Sequence, residues 1–295
     1  MENQMYALQQ RMVIAHCDID VGFAVTEGDR MDEIGARVGQ QLAIFAGHGL
    51  KDLKNASLMR RVDTKYLVRA EYIAELLAAL REHYSALQIG DTRLFRYTTT
   101  YYDTPGMDLY HHHHGGRLNR YKVRTRLYHD TESAFLEVKH KDNRGVTEKQ
   151  RVAIDPCGED WIAANLDFLE DCGVPFSGYL QPAQVGSYQR LALADERSGE
   201  RVTVDLGLSY DRPVAGVSPL QLRRLAIIEV KQGVLDRNSP TIRHLQRHGY
   251  RATGFSKYCI GQCLTQPTLK MNRFKPTLRN VARLQGTNIE AIADA

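Results

Sequence analysis

The 295 residues, 43% hydrophobic and 25% charged, belong to a globular chain able to bury a sizeable core, not to a disordered or fibrous one. Basic residues exceed acidic ones only slightly, 39 against 35, and a formal net charge of +4 excludes a protein that coats nucleic acid by bulk charge. No apolar run approaches the ~18 residues that a membrane span requires. The N-terminal apolar stretch is broken by His16, Asp18 and Asp20 and lacks a basic flank, so it does not read as a secretory signal and the expected location is cytoplasmic. The cysteines, Cys17, Cys157, Cys172, Cys259 and Cys263, are odd in number and form no C-x-x-C pair, which fits free thiols in a reducing compartment. Cys259 and Cys263 share a helix face without a histidine at ligand spacing, and core packing is the expected role.

Residues 1 to 30 show no periodic pattern. "DEIGARVGQQLAIFAGHG" predicts a helix, with Ile34, Val38, Leu42 and Phe45 on one stripe. "MRRVDTKYLV" predicts a strand and "AEYIAELLAALREHY" an amphipathic helix burying Ile73, Leu76, Leu77, Leu80 and Tyr84. The aromatic, Thr-rich "RYTTTYYDT" is a strand ending at the turn signal "DTPG". "RYKVRTRLY", "AFLEVKHK" and "VTEKQRVAI" follow as strands joined by hairpin connections, and "EDWIAANLDFLEDCG" is a helix closed by Gly173. "VGSYQRLAL", "ERVTVDLGLSY" and "LAIIEVKQ" are further strands. "SPTIRHLQRHG" is a helix with Ser239 as N-cap and Pro240 at its first position, and "FSKYCIGQCL" is another helix. The pattern predicts an α+β domain built on an antiparallel sheet.

The strands share a second feature. In "NRYKVRTRLY", Lys122, Arg124 and Arg126 alternate with Val123, Thr125 and Leu127, so one face is cationic and the other apolar. The same test groups Glu137, Lys139 and Lys141 in the next strand, then Thr147, Lys149 and Arg151, then Arg201, Thr203 and Asp205. Glu229 and Lys231 share a face, as do Arg61, Asp63 and Lys65. A solvated face of a one-sided sheet carries mixed charge as a rule, but here acids are few among the bases. Like charges set across adjacent strands cost stability, and a polyanion lying between them removes that cost. Curling the sheet shut would gather the cations in one lumen, a tunnel for a chain of phosphates. The few carboxylates would suit Mg²⁺ or Mn²⁺ bridging phosphate oxygens.

The motifs "RRVDTKYLV", "YYDTP", "NRYKVRTRLY", "FLEVKHK", "SYQRLALADERSGERVTVDLGL", "AIIEVKQ" and "GFSKYCIG" occur in the order found in the VTC domain. The chain thus resembles, over residues 55 to 280, the polyphosphate polymerase domain of the vacuolar transporter chaperone, within the triphosphate tunnel metalloenzyme, or CYTH-like, superfamily. The resemblance implies a closed eight-stranded antiparallel β-barrel tunnel with flanking helices. Residues 1–54 would be a partly helical extension and 281–295 a C-terminal tail. It implies transfer of the γ-phosphate of ATP to a growing inorganic polyphosphate chain, dependent on Mn²⁺ or Mg²⁺. The catalytic bases it implies are Lys65, Arg124, Arg126, Lys139, Lys149, Arg190, Arg201, Lys231 and Lys257, with Lys122, Lys141 and Arg151 as further substrate-binding bases. Glu229 matches the family's metal-binding glutamate, and Glu137 and Asp63 are the other carboxylates proposed for a metal.

Many hydrolytic members of the superfamily open with E-x-E-x-K, whereas this chain reads Arg61, Asp63, Lys65, which favours the polymerase branch. The chain lacks the regulatory domain and membrane helices of the eukaryotic transporter subunits, so a stand-alone soluble form is expected. The alternatives are a tunnel-fold triphosphatase acting on tripolyphosphate or a nucleoside triphosphate, and a polyphosphate-binding protein without turnover. A nucleic-acid partner is not expected, because Tyr121 and Val123 fall on the face opposite the cations. No motif fixes the oligomeric state. "YHHHHGG" predicts a surface hairpin, Tyr101, Tyr102 and Tyr121 read as core or cross-strand partners, and Arg243, Arg247 and His248 as a solvated helix face. The basic "KMNRFKPTLRN" reads as an exposed segment.

Overall fold

The computed structural model describes residues 29–52, 61–211 and 218–289. The first stretch holds α1 (Asp29–Ala43) and β1 (Gly47–His48). After it come β2 (Val62–Arg69), α2 (Ile73–Leu80), β3 (Ser85–Leu87), β4 (Phe95–Asp103), α3 (Asp108–His114) and β5 (Arg120–Tyr128). Next are β6 (Ser133–Lys141), β7 (Thr147–Ile154), α4 (Leu166–Asp171), β8 (Gln181–Asp195) and β9 (Glu200–Tyr210). The last stretch holds β10 (Leu220–Leu222), β11 (Leu225–Gln232), α5 (Pro240–Arg247), α6 (Lys257–Thr265) and α7 (Lys275–Gln285). Residues 1–28, most of the proposed N-terminal extension, and Cys17 lie outside the described residues, as do Met59 and Arg60 of the first predicted strand.

The alternating strands pair in the order β2-β11-β9-β8-β4-β5-β6-β7, each antiparallel to its neighbours. The short strands attach at the side: β1 runs parallel to β3, β3 pairs with β8, and β10 pairs with β9. The expected closed barrel is corrected here, because no ladder joins β7 to β2. The free edge of β2 is occupied by another segment. Thr253 N–H donates to Lys65 O at 2.8 Å, and Tyr66 bridges to Ala252. β7 carries exposed Glu148, Lys149, Gln150 and Arg151 along its length, charge that protects an unpaired edge from pairing with another chain.

Strands β2, β5, β6, β8, β9 and β11 have one face under helices. Val68, Leu191, Val202, Val204, Ile228 and Val230 pack beneath Ile73, Leu76, Leu77 and Leu80 of α2, Val38 and Leu42 of α1, and Ile242 and Leu245 of α5. Val123, Leu136 and Val138 pack beneath Leu109 of α3, Leu169 of α4, and Ile162, which precedes α4. The apolar residues are therefore those opposite the cations, as the period of two requires.

The cationic face is itself divided. Along β2, Leu67 follows Asp63 and Lys65 on the same side, and along β11, Ile227 precedes Glu229 and Lys231. Leu67, Ile227, Tyr188, Leu208 and Tyr210 form an apolar plug with α6 and α7, to which α7 contributes Leu278, Val281 and Leu284. The segment read as exposed and basic is thus partly a packed helix, and residues 281–285 of the proposed tail are its last turn. Cys259 and Cys263 are buried in the same plug. The backbone of α6 approaches β9 so closely that a Cβ on Gly261 would stand 2.7 Å from ring carbons of Tyr210, so glycine alone fits there.

The histidine run is not a hairpin but the end of α3. Histidine is a middling helix former, and a single buried carboxylate supplies what propensity does not. Asp103 accepts the N–H groups of Thr104, Leu109 and Tyr110, each at 2.8 Å, and the hydroxyl of Tyr258 from α6. It ties β4, α3 and α6 together. Asp103→Ala would orphan these buried donors and is expected to lower stability by about 3 kcal/mol or more in urea unfolding. A loss below about 1 kcal/mol would contradict this role.

Candidate functional site

Register brings the cations of neighbouring strands side by side. Lys122 lies opposite Lys139, and Lys139 opposite Lys149. Arg124 pairs across to Glu137, Arg190 to Asp205, Lys65 to Glu229, and Lys231 to both Arg201 and Asp63. Three buried or nearly buried carboxylates each collect at least two bases.

On the β5–β6–β7 wall, Glu137 is 1% exposed. Arg124 Nε donates to its Oε2 at 2.7 Å, Lys149 Nζ donates to its Oε1 at 2.5 Å, and Arg126 Nη1 stands 4.0 Å away. Burial alone would raise its pKa, but Arg124, Arg126 and Lys149 outweigh burial and hold it at about 2. Between the walls, Asp205 receives a bidentate pair from Arg190, at 2.5 and 2.8 Å, and an ammonium contact from Lys257 at the start of α6. Burial opposes ionisation of Asp205, and the two cations overcome it, keeping the carboxyl well below its usual range. On the β2–β11–β9 wall, Glu229 takes Lys65 on one oxygen and Lys231 on the other, and it too is held far below the ordinary glutamate value against the cost of burial. Asp63 pairs with Arg61 at 3.1 Å.

Aromatic rings complete the surface between the walls. Tyr97 and Tyr188 are stacked with centroids 5.3 Å apart, Arg190 lies over both, and the Lys257 ammonium stands 4.4 Å from the Tyr188 centroid. Tyr101 is buried, as expected, yet it belongs to the cationic face, beneath Arg124.

Some bases have no carboxylate partner among the described residues. Lys122 donates to Ser256 Oγ at 2.9 Å, and burial, with Lys139, Arg124 and Lys65 around it, lowers its pKa to about 8. Lys139 reaches solvent but is closely surrounded. Burial and the charge of Lys65 push it down, while Asp63 and Glu229 pull the other way. Lys139 stands on β6 and these neighbours on β2 and β11, so the two ends of the sheet face each other across the unpaired seam. Arg201 has a buried Nε without a hydrogen-bond partner among the described residues, and burial together with Arg61 lowers its pKa. Even Lys149, in contact with Glu137, falls to about 8, because burial and the guanidinium groups of Arg124 and Arg126 exceed the pull of one shared carboxylate.

Lys65, Lys122, Arg124, Arg126, Lys139, Lys149, Arg190, Lys231 and Lys257 thus form one electrostatically connected group, linked through Arg190, which feels Glu229, and Tyr188, which feels Arg126, Arg190 and Lys257. Three candidates sit at its margin. Arg201 lies toward Arg61, Lys141 lies opposite Arg120, and Arg151 covers the Phe135 ring at 4.4 Å. Glu137 stands on the wall opposite Glu229 and Asp63. Asp205, Tyr97 and Tyr188 also belong to the site, although the family resemblance assigns none of them a role. For Asp205 the signal was present, since it alternates with Val204 and Leu206 on the cationic side.

The family model of the VTC domain matches residues 60–165 and 176–265. No curated protein sequence matches the chain. Among solved structures, a Bacillus halodurans protein assigned as an adenylate cyclase is similar at 14% identity and TM-score 0.44, over 67% of this chain and 94% of that one. A Hippeastrum adenylyl cyclase candidate whose dominant activity is as a triphosphatase is similar at 16% identity and TM-score 0.41, over 69% and 95%. A Vibrio parahaemolyticus protein assigned as an adenylate cyclase is similar at 13% identity and TM-score 0.39, over 68% and 97%.

The depressed pKa of Lys122 makes a stability prediction. Its folded value, about 8, lies below the ordinary 10.5, so the folded chain holds this proton less tightly than the unfolded chain. The charge is a net cost at neutral pH that disappears as pH rises through that interval. Lys122→Met is therefore expected to stabilise the ligand-free protein by about 1–2 kcal/mol near pH 7, with the gain shrinking above about pH 8. Destabilisation near neutral pH, or a gain independent of pH, would contradict the assignment.

Proposed function

The chain belongs to the VTC domain family, and from that premise we propose that it is a polyphosphate polymerase, transferring the γ-phosphoryl group of ATP to the end of an inorganic polyphosphate chain. The observation that carries the proposal is the surplus of bases over carboxylates on one inward face, with Lys122 and Lys139 left without any carboxylate partner among the described residues. A linear polyanion supplies the missing negative charge. Arginine forks suit bidentate contact with phosphate, and lysines act as point charges along the chain.

Phosphoryl transfer through a loose transition state asks the protein mainly for alignment and electrostatic stabilisation. The bond from the γ-phosphorus to its bridging oxygen breaks, ADP leaves with the electron pair, and a terminal oxygen of the chain forms the new bond. That oxygen is already anionic at neutral pH, so no general base is required. Arg124, Arg126 and Lys139 hold phosphates from one wall, Lys65 and Lys231 from the other, and Arg190 and Lys257 from between them.

The carboxylates in turn acquire a role. In the ligand-free protein, Glu137, Asp205 and Glu229 keep the basic side chains extended toward the site. When phosphates arrive, the bases transfer to phosphate oxygens and the carboxylates are released. Glu229 and Asp63 are hard oxygen donors of the kind Mg²⁺ and Mn²⁺ take, and such an ion would fill its remaining positions with phosphate oxygens and water. Bound there, it would neutralise charge on the phosphates. Both Glu229 oxygens are engaged by lysines, so metal and phosphate chain are expected to bind together.

Incubation with ATP and Mn²⁺, followed by gel analysis, is expected to give long polymer. Glu229→Gln should abolish it, and Arg126→Ala should slow it about a hundredfold. Orthophosphate without polymer would replace this reading with a triphosphatase, and no ATP consumption would leave a binding protein. Tripolyphosphate alone should raise the melting temperature in a dose-dependent way, an effect lost in Lys139→Ala/Arg126→Ala. An undiminished shift in that variant would place the anion elsewhere.

A further inference from the structure

On the outer side of the sheet, away from the basic face, two helices bring together a separate set of donors. Glu75 of α2, His244 of α5 and His248, immediately after α5, place one ligand atom each within 4.8 Å of the others. The histidines are four residues apart, the spacing that puts both imidazoles on one side of a helix. Their rings stand 4.4 Å apart.

His248 Nδ1–H donates to His244 O at 2.9 Å, and its Nε2 stands 2.8 Å from Glu75 Oε1. A histidine whose far nitrogen is fixed on a backbone carbonyl is the usual arrangement of a metal ligand. His244 Nε2 is buried and has no hydrogen-bond partner among the described residues. Tyr72 walls one side, its ring 5.1 Å from His248 and 5.9 Å from His244. A buried imidazole nitrogen without a partner among the described residues, beside a second imidazole and a carboxylate, is a polar group that a bound cation would satisfy.

We propose that Glu75, His244 and His248 form a binding site for a zinc-class divalent cation, independent of the phosphate face. Two imidazoles and one carboxylate are the donors preferred by Zn²⁺, whereas Mg²⁺ and Mn²⁺ favour oxygen alone. Metal–ligand bonds of ~2.1 Å would draw the three atoms to within about 3.5 Å of one another. Glu75 is well exposed and free to make that adjustment, and the same exposure leaves room for water as a fourth ligand. Because α2 and α5 both cover the strands that carry Lys65 and Glu229, the ion would clip them together.

The test is isothermal titration of metal-free protein with ZnCl₂ alone, in a buffer without phosphate. One saturable site is expected, together with a rise in melting temperature. His248→Gln and Glu75→Gln should each weaken binding at least about tenfold. Glu229→Gln, which alters the phosphate face, and His111→Gln/His112→Gln, which alters the histidine run of α3, should keep it. Circular dichroism and melting in EDTA establish that the variants fold. Zinc-edge X-ray absorption on the His111→Gln/His112→Gln protein should show two imidazoles in the metal's shell. No saturable binding, equal binding by His248→Gln, or a shell without imidazole would overturn the proposal.

Discussion

Glu229 shared between Lys65 and Lys231 is the smallest version of a constraint that governs the whole inner face. A cation removed from water needs a counter-charge, and a carboxylate removed from water needs cations or it will take up a proton. On the inner face the second demand is met in full and the first only in part. Glu137, Asp205 and Glu229 are each outnumbered by the bases around them, which is why their pKa values fall despite burial. Lys122, and even Lys149 in contact with its carboxylate, titrate low for the same reason. Stability has been given up where charge is to be used, a pattern expected of binding and catalytic sites.

The rest of the fold serves that arrangement. Helices α1, α2 and α5 cover the outer face of β2, β11 and β9, and α3 and α4 cover that of β5 and β6, so the alternating strands turn their charged side inward. Helices α6 and α7 then fill the apolar end of the inner face. The first residue of α6, Lys257, reaches Asp205, and its capping Ser256 holds Lys122. Asp103 fastens α3 and α6 to β4 from the outside of the charged zone. Apolar packing and charge placement are thus not separate features. The plug fixes the position of bases drawn from both walls.

Much of this could be read in the sequence because strands have a period of two. "LAIIEVKQ" is β11 to the residue, and Ser239 caps α5 as expected, accepting Ile242 N–H at 3.2 Å. The cationic faces followed from the same alternation. What the sequence did not reveal depends on contacts between distant segments. Four consecutive histidines carry no helical stripe, and α3 exists because Asp103 binds its first N–H groups. Leu278, Val281 and Leu284 do make a helical stripe, but a basic surrounding sequence masked it. Barrel closure failed for a similar reason. The edge of β2 is met by Ala252 and Thr253, a non-periodic segment that no strand pattern announces. Asp205 was visible as a face residue, yet only the contacts of Arg190 and Lys257 reveal its importance.

The central claim is that bases now held by internal carboxylates are waiting for a chain of phosphates. A crystal structure of the protein with tripolyphosphate and Mn²⁺ tests it most directly. The account predicts phosphate oxygens against Arg124, Arg126, Lys139 and Lys65, with Lys65 and Lys231 withdrawn from Glu229. Tripolyphosphate bound away from these residues, with the lysines still on Glu229, would contradict it.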